Sequence, residues 1–401
     1  MFNKTNLFGW ANLILRILLG LGLVVVVQYC YGSGNVKAWI LYITLTAAIN
    51  AVDGLLSQYF MREFLRAGTD ADQLRKCYSH QRGVYLVLAM GCTLAAYFAL
   101  SGEMRLPMTV LLGGFAYFKT NESRARAHLS PFNLQKLEVQ LQGVLAFLVI
   151  IASMWAQNYE WFVMVHIVGS MLGLAVKGIR ARQAQSLRFL QENKIPARSA
   201  FEYSGLVQSA FIAFGGSLSV NLGLLALNAA TGNQLEAAYL LSYRIGALIC
   251  EMASLPLIVR MPEITMRLAG QLHEEALSLF RTNYRQSLLI CLVLFATLNV
   301  ASPFWNLWMP AGLRIEGGIL LLLISVGWLL ERVATLMSQL LLSMKDYSVR
   351  GGYVGYLFLA LSGLLLAKAT GLSILFAAGL VVSNALVATV VLFRWRQLHG
   401  N

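Results

Sequence analysis

Three arginines interrupt otherwise apolar runs of this chain: Arg16, Arg244 and Arg332. A cation near the middle of a bilayer costs at least about 2.5–3.5 kcal/mol, so a residue of this kind carries a functional hypothesis. Guanidinium forks match the oxygens of a phosphate, and a hollow lined by these three arginines would attract an anion. The structural alternative pairs Arg244 or Arg332 with Glu331 or Glu251 and lets Arg16 reach back to the headgroups. Glu331 and Arg332 are neighbours in sequence, so on a helix they leave the axis about 100° apart and do not point at one spot.

Asp53, Glu251 and Glu331 are the carboxylates in or near the same runs. A carboxylate desolvated in a helical bundle can exchange a proton or bind sodium as a cavity opens and closes. Asp53 and Glu251 stand one to two turns from the end of their runs, where pairing with an arginine of a neighbouring helix is the alternative. Asn50 and Asn221 present amides able to hydrogen-bond a sugar, and equally able to tie helices together. No nucleotide-binding glycine loop, serine-nucleophile elbow or CxxC pair occurs, and the five histidines show no metal spacing. No cofactor is expected beyond a gradient of protons or sodium.

The elements that must carry these residues are membrane helices. The chain has 401 residues, 58% hydrophobic and 12% charged, with a mean hydropathy of +0.65. A soluble domain carries about 25% charged residues, so a soluble enzyme is excluded. A spanning helix needs roughly 20 mostly apolar residues. Twelve stretches qualify: 11–30, 37–60, 83–101, 106–118, 139–156, 160–177, 205–230, 236–257, 286–304, 316–342, 351–368 and 371–393. Unbroken apolar runs lack the alternation of a membrane barrel, so the expected class is all-α and polytopic.

Most of the 31 lysines and arginines fall on one side if both termini are cytoplasmic, with Lys37, Arg105, Arg314 and Lys368 left outside. The net charge of +13 then faces anionic headgroups, and nucleic acid is not needed as a partner. Outer connections are short and the long ones lie inside. Two of these look amphipathic, one around Ile179, Leu187 and Leu190, the other along Leu268, Leu272, Ala276 and Leu279, and both read as helices on the inner membrane face. The expected organisation is a six-helix bundle over 1–177, a cytoplasmic amphipathic linker over 178–204, and a second six-helix bundle over 205–401.

The halves repeat weakly. Gly34-Asn35 precedes the second span and Gly232-Asn233 the eighth, and at the same offset Asp53 falls on Glu251 and Arg62 on Arg260. Gly20 and Gly22 in the first span, and Gly215 and Gly216 in the seventh, mark places where a helix can bend. Six spans per half make this a parallel repeat, and two such bundles can rock about a central cavity.

This layout resembles the multidrug/oligosaccharidyl-lipid/polysaccharide (MOP) exporter superfamily. Within it the chain is most similar to bacterial polysaccharide flippases of the O-antigen (Wzx) type, through Ala238-Tyr-Leu-Leu-Ser-Tyr-Arg-Ile-Gly246, Pro256 with Pro262, and Ser302-Pro-Phe-Trp-Asn-Leu-Trp308. The resemblance implies a MATE-like fold and a flippase, not an enzyme. Its substrate would be an undecaprenyl-diphosphate-linked oligosaccharide crossing the bacterial inner membrane for lipopolysaccharide or similar polysaccharide biosynthesis. A polysaccharide polymerase and a chain-length regulator would be its partners. The rivals are a MATE-type multidrug or cation antiporter, whose cargo would want net acid in the cavity, and a membrane-embedded polymerase, ligase or glycosyltransferase, which would want a long outer loop.

Overall fold

The computed structural model describes residues 4–67, 70–99, 105–155, 158–191, 217–230, 236–269, 271–344, 346 and 348–399. Among them every regular element is helical. In chain order these are α1 (Lys4–Ile17), a π-helical turn (Leu18–Gly22), α2 (Leu23–Tyr31), α3 (Ser33–Ala67), α4 (Ala71–Ala99), α5 (Arg105–Phe118), α6 (Thr120–His128), α7 (Pro131–Trp155) and α8 (Tyr159–Gln191). They continue as α9 (Ser217–Ala230), α10 (Ala237–Ala269), α11 (His273–Trp308), a 3-10 turn (Ala311–Leu313), α12 (Gly318–Ser343), α13 (Arg350–Thr370) and α14 (Ser373–His399). Apolar runs of this length become helices because hydrocarbon offers the backbone no hydrogen-bond partner, and a helix satisfies every peptide group within the segment.

Among the described residues, eight helical stretches are long and apolar enough to cross a membrane: Ser33–Phe64, Phe132–Trp155, Tyr159–Gln185, Ala237–Thr265, His273–Trp308, Ala311–Ser343, Arg350–Thr370 and Ser373–Leu398. The protein is a multi-pass membrane protein. Of the other four expected spans, the third lies in α4, whose first turns are polar with Asp72, Arg75 and Lys76. The seventh ends in α9, while its residues 205–216, Gly215 and Gly216 among them, lie outside the described residues. The first and fourth fall on interrupted or shorter helices. The first is broken by the π turn at Gly20 and Gly22, where the sequence placed a bend. The fourth, α5, has 14 residues, about 21 Å of helix at 1.5 Å per residue, and the chain turns at Lys119 into the polar helix α6.

Two inner connections differ from their expected form. Helix α8 runs unbroken to Gln191, so residues 178–191 prolong a span; residues 192–204 lie outside the described residues. The stripe Leu268, Leu272, Ala276, Leu279 is not one helix. Helix α10 ends at Ala269, Gln271 adopts a left-handed φ of 63°, and α11 starts at His273. The Leu272 N–H donates to Arg267 O at 2.9 Å and closes the end of α10. Arg267 then reaches over the turn to Glu275 at 2.7 Å.

The chain divides into two compact units. One holds Met1–Arg16 and Val52–Ser209, the other Ile17–Ala51 and Ala210–Asn401. In the first, α4 packs on α5, and α8 packs on α5, α6 and α7, around Leu112, Ala116, Val149, Phe162 and Val163. In the second, α10 packs on α11 and α12, and α14 on α12 and α13, around Cys250, Leu257, Leu340, Tyr356 and Val391. Helices α13 and α14 touch backbone to backbone at Gly363 and Gly379, where an added Cβ on Gly379 would lie 2.8 Å from Gly363 Cα.

Candidate functional site

Arg244 comes from α10, in a stretch whose other residues (Leu240, Leu241, Ile245, Leu248) are buried and apolar. Its Nε and Nη1 are buried without a hydrogen-bond partner among the described residues. Glu251 follows seven residues later, two turns along the same face, and is exposed. One turn from Arg244, Leu248 meets the π turn: a Cβ on Gly20 would lie 3.4 Å from Leu248 Cδ2. A π turn often marks a functional position in a helix, and this one packs on α10 one turn from Arg244.

Arg332, from α12, is buried next to the thiols of Cys250 and Cys291. Its Nη2 lies 3.6 Å from Glu331 Oε2, while its Nε has no hydrogen-bond partner. Glu331 is 1% exposed and accepts the Thr335 hydroxyl at 2.8 Å. The two neighbours meet each other, as the structural alternative for Arg332 has it, because a long guanidinium arm swings back across the angle between them. The contact is longer than a charge-assisted hydrogen bond. A water-sized crevice lies between Tyr243, Trp328 and Asn384.

The other expected positions behave differently. Asp53 belongs to the first unit, buried, accepting the Tyr85 hydroxyl at 2.6 Å and facing Lys119 Nζ at 3.8 Å. Asn50 is exposed and Asn221 buried. The side chain of Arg16 lies outside the described residues.

The first unit also holds a charged centre absent from the expected site. Lys177 Nζ lies 2.8 Å from Glu122 Oε2 and 2.9 Å from Glu138 Oε1, bridging α6, α7 and α8. Arg126 Nη2 donates to Glu122 Oε1 at 3.2 Å. Asn12 from α1 donates to Glu138 and to Gln135 Oε1, the latter at 3.2 Å. Burial alone would push the Glu122 carboxyl up; Lys177, Arg126 and Lys119 together hold it well below the usual carboxylate range. The only trace in the sequence is positional: Glu138 opens one apolar run and Lys177 closes the next.

The buried acids Asp53, Glu122 and Glu138 of the first unit each face a cation, whereas Arg244 makes no ion pair among the described residues. No protein-family model and no curated protein matches the chain. Solved structures do. A MOP superfamily transporter from Pyrococcus furiosus, described by a binding pocket of reverse polarity that suggests a different function, superposes with a TM-score of 0.64 at 14% identity, covering 98% of this chain and 94% of that one. An outward-facing multidrug resistance MATE family transporter of the MOP superfamily gives 0.60 at 14% identity with the same coverage. A MATE bound to Br-NRF gives 0.55 at 14% identity over the whole of both chains. The chain has the MATE fold. Identity this low speaks for the fold alone. Within this fold the second unit carries the guanidinium groups of Arg244 and Arg332, with Glu331 and Glu251 as the acids on the same helices.

Proposed function

We propose that the protein is a flippase that carries a lipid-linked oligosaccharide, anionic at its diphosphate, across the bacterial inner membrane by alternating access. The observation that carries this reading is Arg244, a guanidinium in the apolar part of α10 with two buried nitrogens that bond nothing among the described residues. A cation kept unpaired at that depth is ready for an anion brought from outside the fold. Arg332 adds a second guanidinium with a free Nε. A polysaccharide polymerase and a chain-length regulator belong to the same reading as partners.

Coupling to a proton or sodium gradient falls best to Glu331. It is 1% exposed, with Arg332 at 3.6 Å and the Thr335 hydroxyl donating to it at 2.8 Å. Asp53 is held by Tyr85 and Lys119, and Glu251 is exposed. A multidrug or cation antiporter is the second reading, favoured by the multidrug transporters among the structural neighbours.

The test is reconstitution in proteoliposomes with a fluorescent polyprenyl-diphosphate oligosaccharide and, separately, with a cationic dye. Flipping that is lost in Arg244→Ala and Arg332→Ala supports the flippase. Dye efflux that persists in both variants, with no movement of the diphosphate lipid, replaces it with the antiporter.

A further inference from the structure

A second group of cations stands in the first unit, apart from the deep arginines. Arg124 of α6 is buried, its Nε donating to Gln81 Oε1 at 3.1 Å and its guanidinium stacked 4.5 Å from the Tyr78 ring centroid. Its two Nη nitrogens bond no group among the described residues. The charges that face it are Arg82 of α4 and Arg182 of α8, both exposed at the surface. No carboxylate pairs with Arg124 among the described residues. The acids of α6 are turned elsewhere: Glu122 and Arg126 pair with each other one turn apart, and Arg124, two residues from each, leaves the opposite side of the helix.

The surroundings hold the guanidinium still. Tyr78 donates its hydroxyl to Gln185 Oε1 at 2.7 Å, which ties α4 to α8 under the ring that carries Arg124. Gln81 donates to Thr120 O at 2.9 Å while its carbonyl oxygen accepts from Arg124, so the fork is fixed from behind with its tip outward. Burial and the two neighbouring arginines lower the Arg124 pKa from its ordinary value. Arg82 and Arg182 add like charge beside the fixed guanidinium tip of Arg124, a geometry that an anion relieves.

We propose that Arg124, with Arg82 and Arg182, forms a phosphate-binding site at the end of the first unit where the sequence gathers its inner basic residues. Its ligand is a phosphate or diphosphate group, presented either by a bilayer phospholipid or by a soluble molecule. The site is independent of Arg244 and does not require the transport reading.

The experiment uses the full chain in phosphatidylcholine nanodiscs, as wild type and as Arg244→Ala, so that binding at the deep arginines is separated. Inorganic pyrophosphate is titrated by calorimetry, and retention of phosphatidylglycerol is read by native mass spectrometry from nanodiscs containing it. Pyrophosphate affinity that survives Arg244→Ala and drops at least tenfold in Arg124→Gln supports a soluble source. Phosphatidylglycerol retention lost in Arg124→Gln, with no pyrophosphate binding, supports the lipid source. If Arg124→Gln does not fold, Arg82→Gln combined with Arg182→Gln, both at the surface, takes its place with the same readings. Equal binding of both probes by wild type and variants overturns the site, while leaving the role of Arg244 untouched.

Discussion

Tyr85 donates its hydroxyl to Asp53 Oδ1 across 2.6 Å, deep in the first unit. With Lys119 Nζ at 3.8 Å on the other oxygen, the carboxylate is neutralised and held in place. An acid so tied has little freedom to load and release an ion. Asp53→Leu is therefore expected to act on stability, since removing one partner of a buried pair strands the other at a cost of about 3–5 kcal/mol. Thermal unfolding in detergent measures this. The milder Asp53→Asn, which still accepts from Tyr85, is expected to keep the gradient dependence of transport; loss of that dependence in a stably folded Asp53→Asn chain would return Asp53 to the coupling machinery.

Glu122 predicts how the first unit responds to acid. Its carboxyl is held well below the usual range, burial being outweighed by Lys177, Arg126 and Lys119. A group with a lowered folded pKa contributes its full stabilisation above the unfolded value, about 4.3 for glutamate, and loses it as pH falls toward the folded value. The wild-type chain is expected to lose melting temperature as pH drops from about 5 to about 3. Glu122→Gln, already less stable at neutral pH, should show a flatter profile over that window. Parallel profiles for the two chains would mean that Glu122 gains nothing from its three cations.

The apolar runs and the lone arginines were readable in sequence because their signal is local: a charge inside twenty apolar residues stands out whatever the fold. Arg244 was found this way, and the π turn fell where Gly20 and Gly22 had marked a bend. The centre around Lys177 was not readable, because Glu122, Glu138 and Lys177 each stand at the end of a run, where a charge looks like an ordinary loop residue. Only the packing of α6 and α7 on α8 brings them together. The amphipathic stripe from Leu268 to Leu279 misled for a related reason. Hydrophobic spacing continues in register through a tight turn, and the left-handed backbone at Gln271 has no counterpart in that spacing.

Helices α13 and α14 should tolerate no side chain where they cross. A Cβ on Gly363 would lie 3.0 Å from Gly379 Cα, and one on Gly379 2.8 Å from Gly363 Cα, so the obstacle on either side is backbone that cannot rotate away. Close approach of this kind is how membrane helices gain packing contacts without a hydrophobic driving force. Gly379→Val is expected to cost about 1–3 kcal/mol or more, the usual penalty for overfilling a packed interface. Gly351, also on α13, has open space around its Cβ direction. Gly351→Ala should stabilise that helix by roughly 0.5–1 kcal/mol. Equal melting temperatures for the two variants would mean that the crossing is looser than its glycines indicate.

Arg244 should show stability and transport moving in opposite directions. Two of its nitrogens are buried with no hydrogen bond, and its acid on the same face, Glu251, is two turns away and exposed. The folded protein bears the desolvation cost of that guanidinium without a hydrogen bond at those two nitrogens among the described residues, and on the proposed function a bound anion supplies one in the working cycle. Replacing it by a flexible apolar chain of similar length removes the cost. Arg244→Met is expected to raise the melting temperature, by an amount equivalent to about 1 kcal/mol or more, while movement of the diphosphate lipid falls to background. Arg244→Lys keeps the charge but not the fork, and should leave partial transport with no gain in stability. A large loss of stability in Arg244→Met would show that the guanidinium supports the fold by itself, and the anionic cargo would then lose its anchor in the second unit.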